Sequence, residues 1–323
     1  MVERKSRILY IKRYLEENSD EQHQKTVTDI LAHLTGQGIT ATRKTVAQDI
    51  ELLIEAGVDV VINKSRPNKY FVGIRHIELP KLKLLIDAAQ ASKFLTVKRS
   101  RDLIGDLLSL TSIHQAEDLK RGLYFDNQVK PKNENAYRTA NLLLKAIIEK
   151  KRVRFMYYEY APNKEKVYKH NRRVYEFSPW TFLWNNDHYY IAGHSENHGQ
   201  VIKFRVDRIA SPKETMLDAA SVPDDFDPAV IAKTVFSMYE GPMLDVTLKC
   251  DNAMMKTIVD RFGEDVKTEI SDPEHFHAKV TVSASKTFYG WVFGMDGAIR
   301  ITAPREAVDT YNAMLHKAKT LVP

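Results

Sequence analysis

The sequence has one cysteine in 323 residues, Cys250, so it can build neither an intrachain disulfide nor a cysteine-rich zinc module. It has no uninterrupted apolar run near the roughly 20 residues a membrane-spanning helix needs. The opening MVERKSRILYIKRYLEENSD scatters charge through its apolar positions, so neither a signal peptide nor an anchor is expected there. Glycine and proline are sparse, at 13 and 12, and 43% of residues are hydrophobic, the composition of a globular protein without long disordered stretches. Walker, GxGxxG, GxSxG and HExxH patterns are absent. The expectation is therefore a cytoplasmic protein that is not an enzyme and carries no cofactor.

What is present is charge, unevenly spread. The net +6 conceals near balance over residues 1–75 (12 basic, 10 acidic) and 76–129 (8 and 7), an excess over 130–210 (16 and 8), and an acidic 211–323 (12 and 17). The basic field sits in the middle of the chain and favours anionic partners there.

Residues 5–17 place Ile8, Leu9, Ile11, Tyr14 and Leu15 on one helical stripe. Thr26 can cap a second helix that turns Val27, Ile30, Leu31 and Leu34 inward, and Gly36 and Gly38 mark a turn. A third helix starts at Thr42, buries Val46, Ile50, Leu53 and Ile54, and stops at Gly57. VDVVI and KYFVG then read as a hairpin joined by NKSRPN. Three helices and a hairpin over 1–75 make a winged helix-turn-helix, or a small helical domain that packs against a partner protein. The first turns of the third helix favour DNA. They offer Arg43, Lys44, Thr45, Gln48 and Asp49, side chains that reach base edges and phosphates when a helix N-terminus enters the major groove. Lys64, Arg66 and Lys69 on the wing can grip phosphate. One such head reads only a half-site, so a homodimer on double-stranded operator DNA is expected.

Residues 76–135 read as a helical linker, with stripes Leu82, Leu85, Ile86, Ala89 and Leu103, Ile104, Leu107, Leu108, and a polar link FDNQVKPKNENAY. A helix over about 136–150 turns Leu142, Leu143, Ala146 and Ile147 inward. After it come RVRFMYYEY, RRVYEFSPWTFLW, DHYYIAGHSE and VIKFRVDRI, short strands whose spacing favours a small bent barrel. In IKFRVDRI, Ile202, Phe204 and Val206 share one face, and Lys203, Arg205 and Asp207 the other. In the first strand Val153, Phe155 and Tyr157 face one way, and Arg152, Arg154, Met156 and Tyr158 the other.

DHYYIAG, followed about a dozen residues later by FRVDRI, resembles the WYL domain, with Tyr189, Tyr190 and Ile191 at the family's aromatic-Tyr-aliphatic triplet and Tyr189 in place of the usual Trp. YEFSPW resembles the family's strand ending in proline. The resemblance implies an Sm-like, SH3-like barrel over 136–211 that senses a nucleic-acid fragment or nucleotide. The order winged helix, barrel, α/β extension is similar to that of WYL-type bacterial transcriptional regulators.

The residues support such a ligand independently, because a single strand needs cations for its backbone and flat side chains for its bases. Lys203, Arg205 and Arg208 supply charge, Tyr157 or Tyr190 can stack, and Ser178 and His194 can hydrogen-bond. Alternatives stay open: one of Tyr189 and Tyr190 is core, Tyr157 can be core, and Arg208 can pair with Asp207 around a bend. Asp207 itself reads as structural.

After a linker over 211–240 with room for a short helix, strands and helices alternate over 240–323, suggesting an α/β sandwich with a mixed sheet. FYGWVFGMDGAIRITAP resembles the C-terminal extension of WYL regulators, which implies dimer contact or gating. His275 and His277 lack a third ligand and read as exposed strand residues, and Cys250 as a small buried hydrophobe. The whole is an α+β multidomain chain, expected to act as a ligand-responsive transcriptional regulator. The alternative is a protein that binds RNA or DNA non-specifically through the basic barrel.

Overall fold

A computed structural model describes residues 2–75, 77–123, 130–131, 134–185, 187–229 and 241–321, with side chains from residue 6 onward. Most of the polar link and the room for a short helix before residue 240 lie outside the described residues. The chain forms two compact units, Met1–Glu134 and Asn135–Pro323.

Unit 1 begins with helices α1 (Val2–Asn18), α2 (Val27–Gly36) and α3 (Arg43–Glu55). Thr26 caps α2 through a reciprocal box with Asp29, and Thr42 caps α3 by accepting from the Thr45 amide at 3.2 Å. Ile11, Leu15, Ile30, Leu34, Val46, Ile50 and Leu53 meet in one core, closed by Val60, Tyr70 and Val72 of the hairpin β2 (Val60–Asn63) and β3 (Lys69–Val72). A two-residue strand β1 (Lys25–Thr26) pairs with β3, making a three-stranded sheet in the order β1-β3-β2. It is too short for periodicity to reveal. α3 ends at Glu55, and Gly57 follows with φ +87°, the left-handed conformation glycine adopts without cost.

Helices α4 (Leu79–Ala91), α5 (Val97–Leu108) and α6 (Ile113–Lys120) complete unit 1 around Leu82, Ile86, Ile104, Leu108 and Leu119. Ser112 caps α6 and also donates to Asp20, which ties these helices to the end of α1. Leu9, Ile54, Leu85 and Leu103, assigned inward by periodicity, are exposed. Each lies on the flank of its stripe, whose buried centre runs through Ile11 and Leu15, Val46 and Ile50, Leu82 and Ile86, and Ser100 and Ile104.

Unit 2 opens with α7 (Asn135–Ile148), followed by β4 (Lys151–Tyr160), β5 (Lys166–Tyr168), β6 (Tyr175–Asn185), β7 (His188–Ser195), β8 (Gln200–Arg205) and β9 (Ile209–Asp218). The order is β5-β4-β6-β7-β8, with β9 also on β4 and every pairing antiparallel. Three strand spacings separate β4 from β8, about 14 Å in a flat sheet. Yet the Phe155 and Phe204 rings lie 5.0 Å apart, with Phe177 and Tyr175 packed against the same ring of Phe204. The sheet is therefore strongly curled around an aromatic core. Gly193 permits the curl: a Cβ there would lie 2.1 Å from the Ser178 carbonyl oxygen, where β6 bulges after Pro179.

A second sheet follows, from β10 (Met243–Asp251), α8 (Met255–Phe262), β11 (Lys267–Asp272), β12 (His275–Ser283), α9 (Lys286–Phe293), β13 (Ile299–Ala303) and α10 (Arg305–Thr320). Its order is β11-β12-β10-β13 and its pairings are antiparallel, which corrects the mixed sheet expected. Both β-α-β crossovers leave a gap that a third strand fills, the split arrangement, so neighbours run in opposite directions. Alternation of elements along the chain cannot distinguish the two cases. Cys250 lies in this core, where burial pushes its thiol up to about 12.

Candidate functional site

Two groups of cations stand out, one in each unit. In unit 1, Arg43, Lys44 and Gln48 are exposed on the first turns of α3, while Thr45 is half-buried and its hydroxyl meets that of the cap Thr42 at 2.7 Å. Lys64, Arg66 and Lys69 are exposed along the β2–β3 hairpin. Asp49, read as part of the same polar face, is corrected: it is 1% exposed and takes Nε of Arg7 at 2.6 Å and Nη2 at 3.2 Å. It anchors α3 to α1.

In unit 2, β8 closes the strand order, and a pocket of about 370 Å³ wraps that edge. Ile202, Lys203, Phe204 and Arg205 all line it, so consecutive residues from both faces of β8 contribute. Tyr157, Tyr190 and Arg208 join them, which brings together five of the seven ligand residues read from the sequence. Arg208 reaches the pocket because the strand does not continue: residues Val206–Arg208 form a 3-10 turn. Among the described residues it carries no ion pair.

Arg205 is held from behind. Its Nε donates to Asp207 Oδ1 at 3.0 Å and its Nη2 to Oδ2 at 2.8 Å, while Nη2 also meets His188 Nδ1 at 3.2 Å. Burial pushes the Asp207 carboxyl up, but the hydrogen bonds and charge of Arg205 outweigh it and hold the group below the usual carboxylate range. Burial likewise pulls Arg205 down, and Asp207 more than compensates. The Arg205 backbone amide donates to the Tyr157 hydroxyl at 3.2 Å, and burial pushes that phenol up to about 12, so it stays protonated near neutrality. The β4 alternation slips at a register shift between Arg154 and Met156, and Tyr158, assigned to the same face as Arg152 and Arg154, is buried and donates to the Asp207 carbonyl at 2.8 Å.

Ser178 and His194 lie elsewhere. Ser178 is fully buried, donates to Glu196 at 3.0 Å and accepts from the Ala220 amide at 2.8 Å, and Glu196 also meets His194 and Arg152. Neither lines the pocket, although His194 lies opposite Val201 of β8: both side chains turn to Glu196 instead. Conversely, sequence reading missed Lys169, His170, Tyr175 and His198, which also line the pocket, with Glu159 and Gln200. Lys169 pairs with Glu159 at 2.7 Å, and His198 stacks on Tyr175 with ring centres 6.1 Å apart. The signal available was the basic run KHNRR at 169–173, which belongs to no strand.

His275 and His277 are half-buried rather than exposed, and His275 Nδ1 pairs with Asp272 at 2.6 Å. Among the described residues no group of three or more His, Cys, Asp and Glu could hold a metal, and no helix is long and apolar enough to cross a membrane.

Residues 138–214 match the family described as the WYL domain, a range that takes in most of α7, the curled sheet up to the middle of β9, and the pocket. The chain carries a WYL domain. Tyr189, Tyr190 and Ile191 of its signature lie on β7, with Tyr190 and Ile191 buried and Tyr189 packed edge-on against Trp184 at 4.6 Å. No curated protein matches the chain. Among solved structures it is similar to proteasome accessory factor B/C (PafBC) of Arthrobacter aurescens, at 14% identity and a TM-score of 0.31, covering 95% of this chain and 47% of that one. It is also similar to a CRISPR Cas-related protein, at 9% identity and a TM-score of 0.35, covering 98% of this chain and 83% of that one. The chain thus spans about half the length of PafBC, and the WYL match is to residues 138–214.

Proposed function

We propose that this protein is a ligand-responsive transcriptional regulator. On this reading α1–α3 and the β2–β3 hairpin are a winged helix-turn-helix that binds operator DNA as a homodimer, and the WYL domain is an Sm/SH3-like barrel. The barrel senses an anionic effector, a nucleotide or oligonucleotide. The observation that carries the reading is the convergence of Lys203, Arg205 and Arg208 with Tyr157 and Tyr190 on one pocket, the pairing of cations with aromatic side chains that a phosphate-bearing base needs.

The DNA half rests on the exposed Arg43, Lys44 and Gln48 at a helix N-terminus beside a basic hairpin. An effector changes DNA affinity only by binding one conformation of the regulator better than another. The reading assigns the protein no catalytic step. Sustained turnover of nucleotides by the purified protein would overturn that part.

The test is selection of randomised duplex DNA by the full chain at physiological salt, where non-specific retention is held down. A two-fold symmetric motif is the expected result. Retention without any motif would replace this reading with non-specific nucleic-acid binding through the basic barrel.

A further inference from the structure

The pocket contains more carboxylate than an anion site needs. Glu159 lines it and pairs with Lys169, whereas Asp207 does not line it and lies behind Arg205. An arginine that grips phosphate with its full fork offers two parallel N–H groups, from Nη1 and Nη2 or from Nε and Nη2. Here Nε and Nη2 are both taken by Asp207, and Nη2 by His188 as well. Among the described residues Nη1 alone is without a partner.

We infer that Asp207 is a positioning residue of the anion pocket: it holds Arg205 so that only Nη1 is offered to the ligand, and one phosphate is shared by Arg205, Arg208 and Lys203. The inference rests on the reading of the WYL domain as an anion sensor and deepens it, naming a single phosphate of a nucleotide or oligonucleotide as the group gripped. Its rival is that Asp207 stands in for the ligand and must be displaced.

Three observations favour positioning. Asp207 lies outside the lining, so a ligand filling the pocket need not expel it. Its backbone carbonyl is held by Tyr158 Oη at 2.8 Å, which anchors the residue independently of its side chain. It belongs to the same 3-10 turn as Arg208, so turn and ion pair together set the spacing of both guanidinium groups. The arrangement orders Arg205 before the ligand arrives, which removes part of the entropic cost of binding.

The test is a double-mutant cycle of Asp207→Asn and Arg205→Ala in the full chain. The probe is a short 5′-phosphorylated oligothymidylate, and binding is followed by fluorescence anisotropy at low salt, where weak binding stays measurable. Asp207→Asn is expected to weaken binding about tenfold, the scale of hydrogen bonds to a charged group, and to have no effect once Arg205 is Ala. Unchanged or tighter binding by Asp207→Asn overturns the inference in favour of the displaced stand-in. An equal loss in the Arg205→Ala background also overturns it, because the effect would not run through Arg205. Binding that survives Arg205→Ala undiminished removes the anion-sensor reading and the inference with it. Asp207→Ser serves as the second variant if Asp207→Asn does not give a cooperative melt.

Discussion

The same residue types do different work in the two units because their surroundings differ. Arg43, Lys44, Lys64, Arg66 and Lys69 stand exposed in unit 1, free to follow a phosphate backbone, whereas Arg205 in unit 2 is 21% exposed and braced by Asp207 and His188. Exposed cations contribute a screened, salt-dependent attraction that any phosphate can collect. A braced, half-buried cation acts in a lower dielectric with its geometry already set, which suits it to one ligand in one pose. Arg7 extends the comparison to its limit, since Nε and Nη2 of this buried guanidinium meet the buried Asp49 and serve the fold.

The contrast breaks most visibly at Arg7. Arg7→Ala leaves Asp49 buried without its partner and is expected to cost unit 1 about 3 kcal/mol or more by chemical denaturation, while Arg7→Met with Asp49→Leu should restore much of it. Next comes Arg205→Ala, expected to lower oligonucleotide affinity about a hundredfold with little change in melting temperature. A collapse of the fold instead would move Arg205 into the class of Arg7.

Arg43→Ala and Lys44→Ala should each weaken duplex binding by about three- to tenfold and reduce the salt slope by about one, with the oligonucleotide affinity of the pocket unchanged. An unchanged slope would remove these residues from the DNA surface.

The smallest expected effect is at Asp20, 3% exposed at the end of α1. Burial raises its carboxyl, but Ser112 and His23 more than offset this and the group lies below the usual carboxylate range. A depressed folded value means that the stabilisation is full above the unfolded value of about 3.9 and is lost as pH falls through the folded one. Denaturation of the wild type between pH 5 and pH 2 should therefore show a loss that Asp20→Asn lacks.

Much of the fold was legible because caps and periodicity are local. Thr26, Thr42 and Gly57 delimit helices through neighbours within a few residues, and the split of the chain into helical and strand-rich regions follows from the period of its apolar residues. The candidate pocket was half legible. IKFRVDRI announced Lys203, Arg205 and Arg208, but His198 sits in the β7–β8 turn, and Lys169, His170 and Tyr175 come from a connection and a strand end whose nearness to β8 exists only once the sheet curls. Ser178 and His194 fit the chemistry equally well on paper, yet neither lines the pocket, because both side chains are engaged with Glu196.

The sequence by itself determined most of the helices and strands and the WYL signature, because hydrophobic period, capping and a short aromatic-basic motif act over a few residues. Only the tertiary structure decided which cations are spent and which remain for a ligand. Asp49 meets Arg7 across 42 residues, and the bend at Val206–Arg208 turns Arg208 into the pocket while Asp207 passes behind Arg205. Whether a charge is neutralised depends on where the chain folds back, and that is settled by the packing of a core assembled from distant segments.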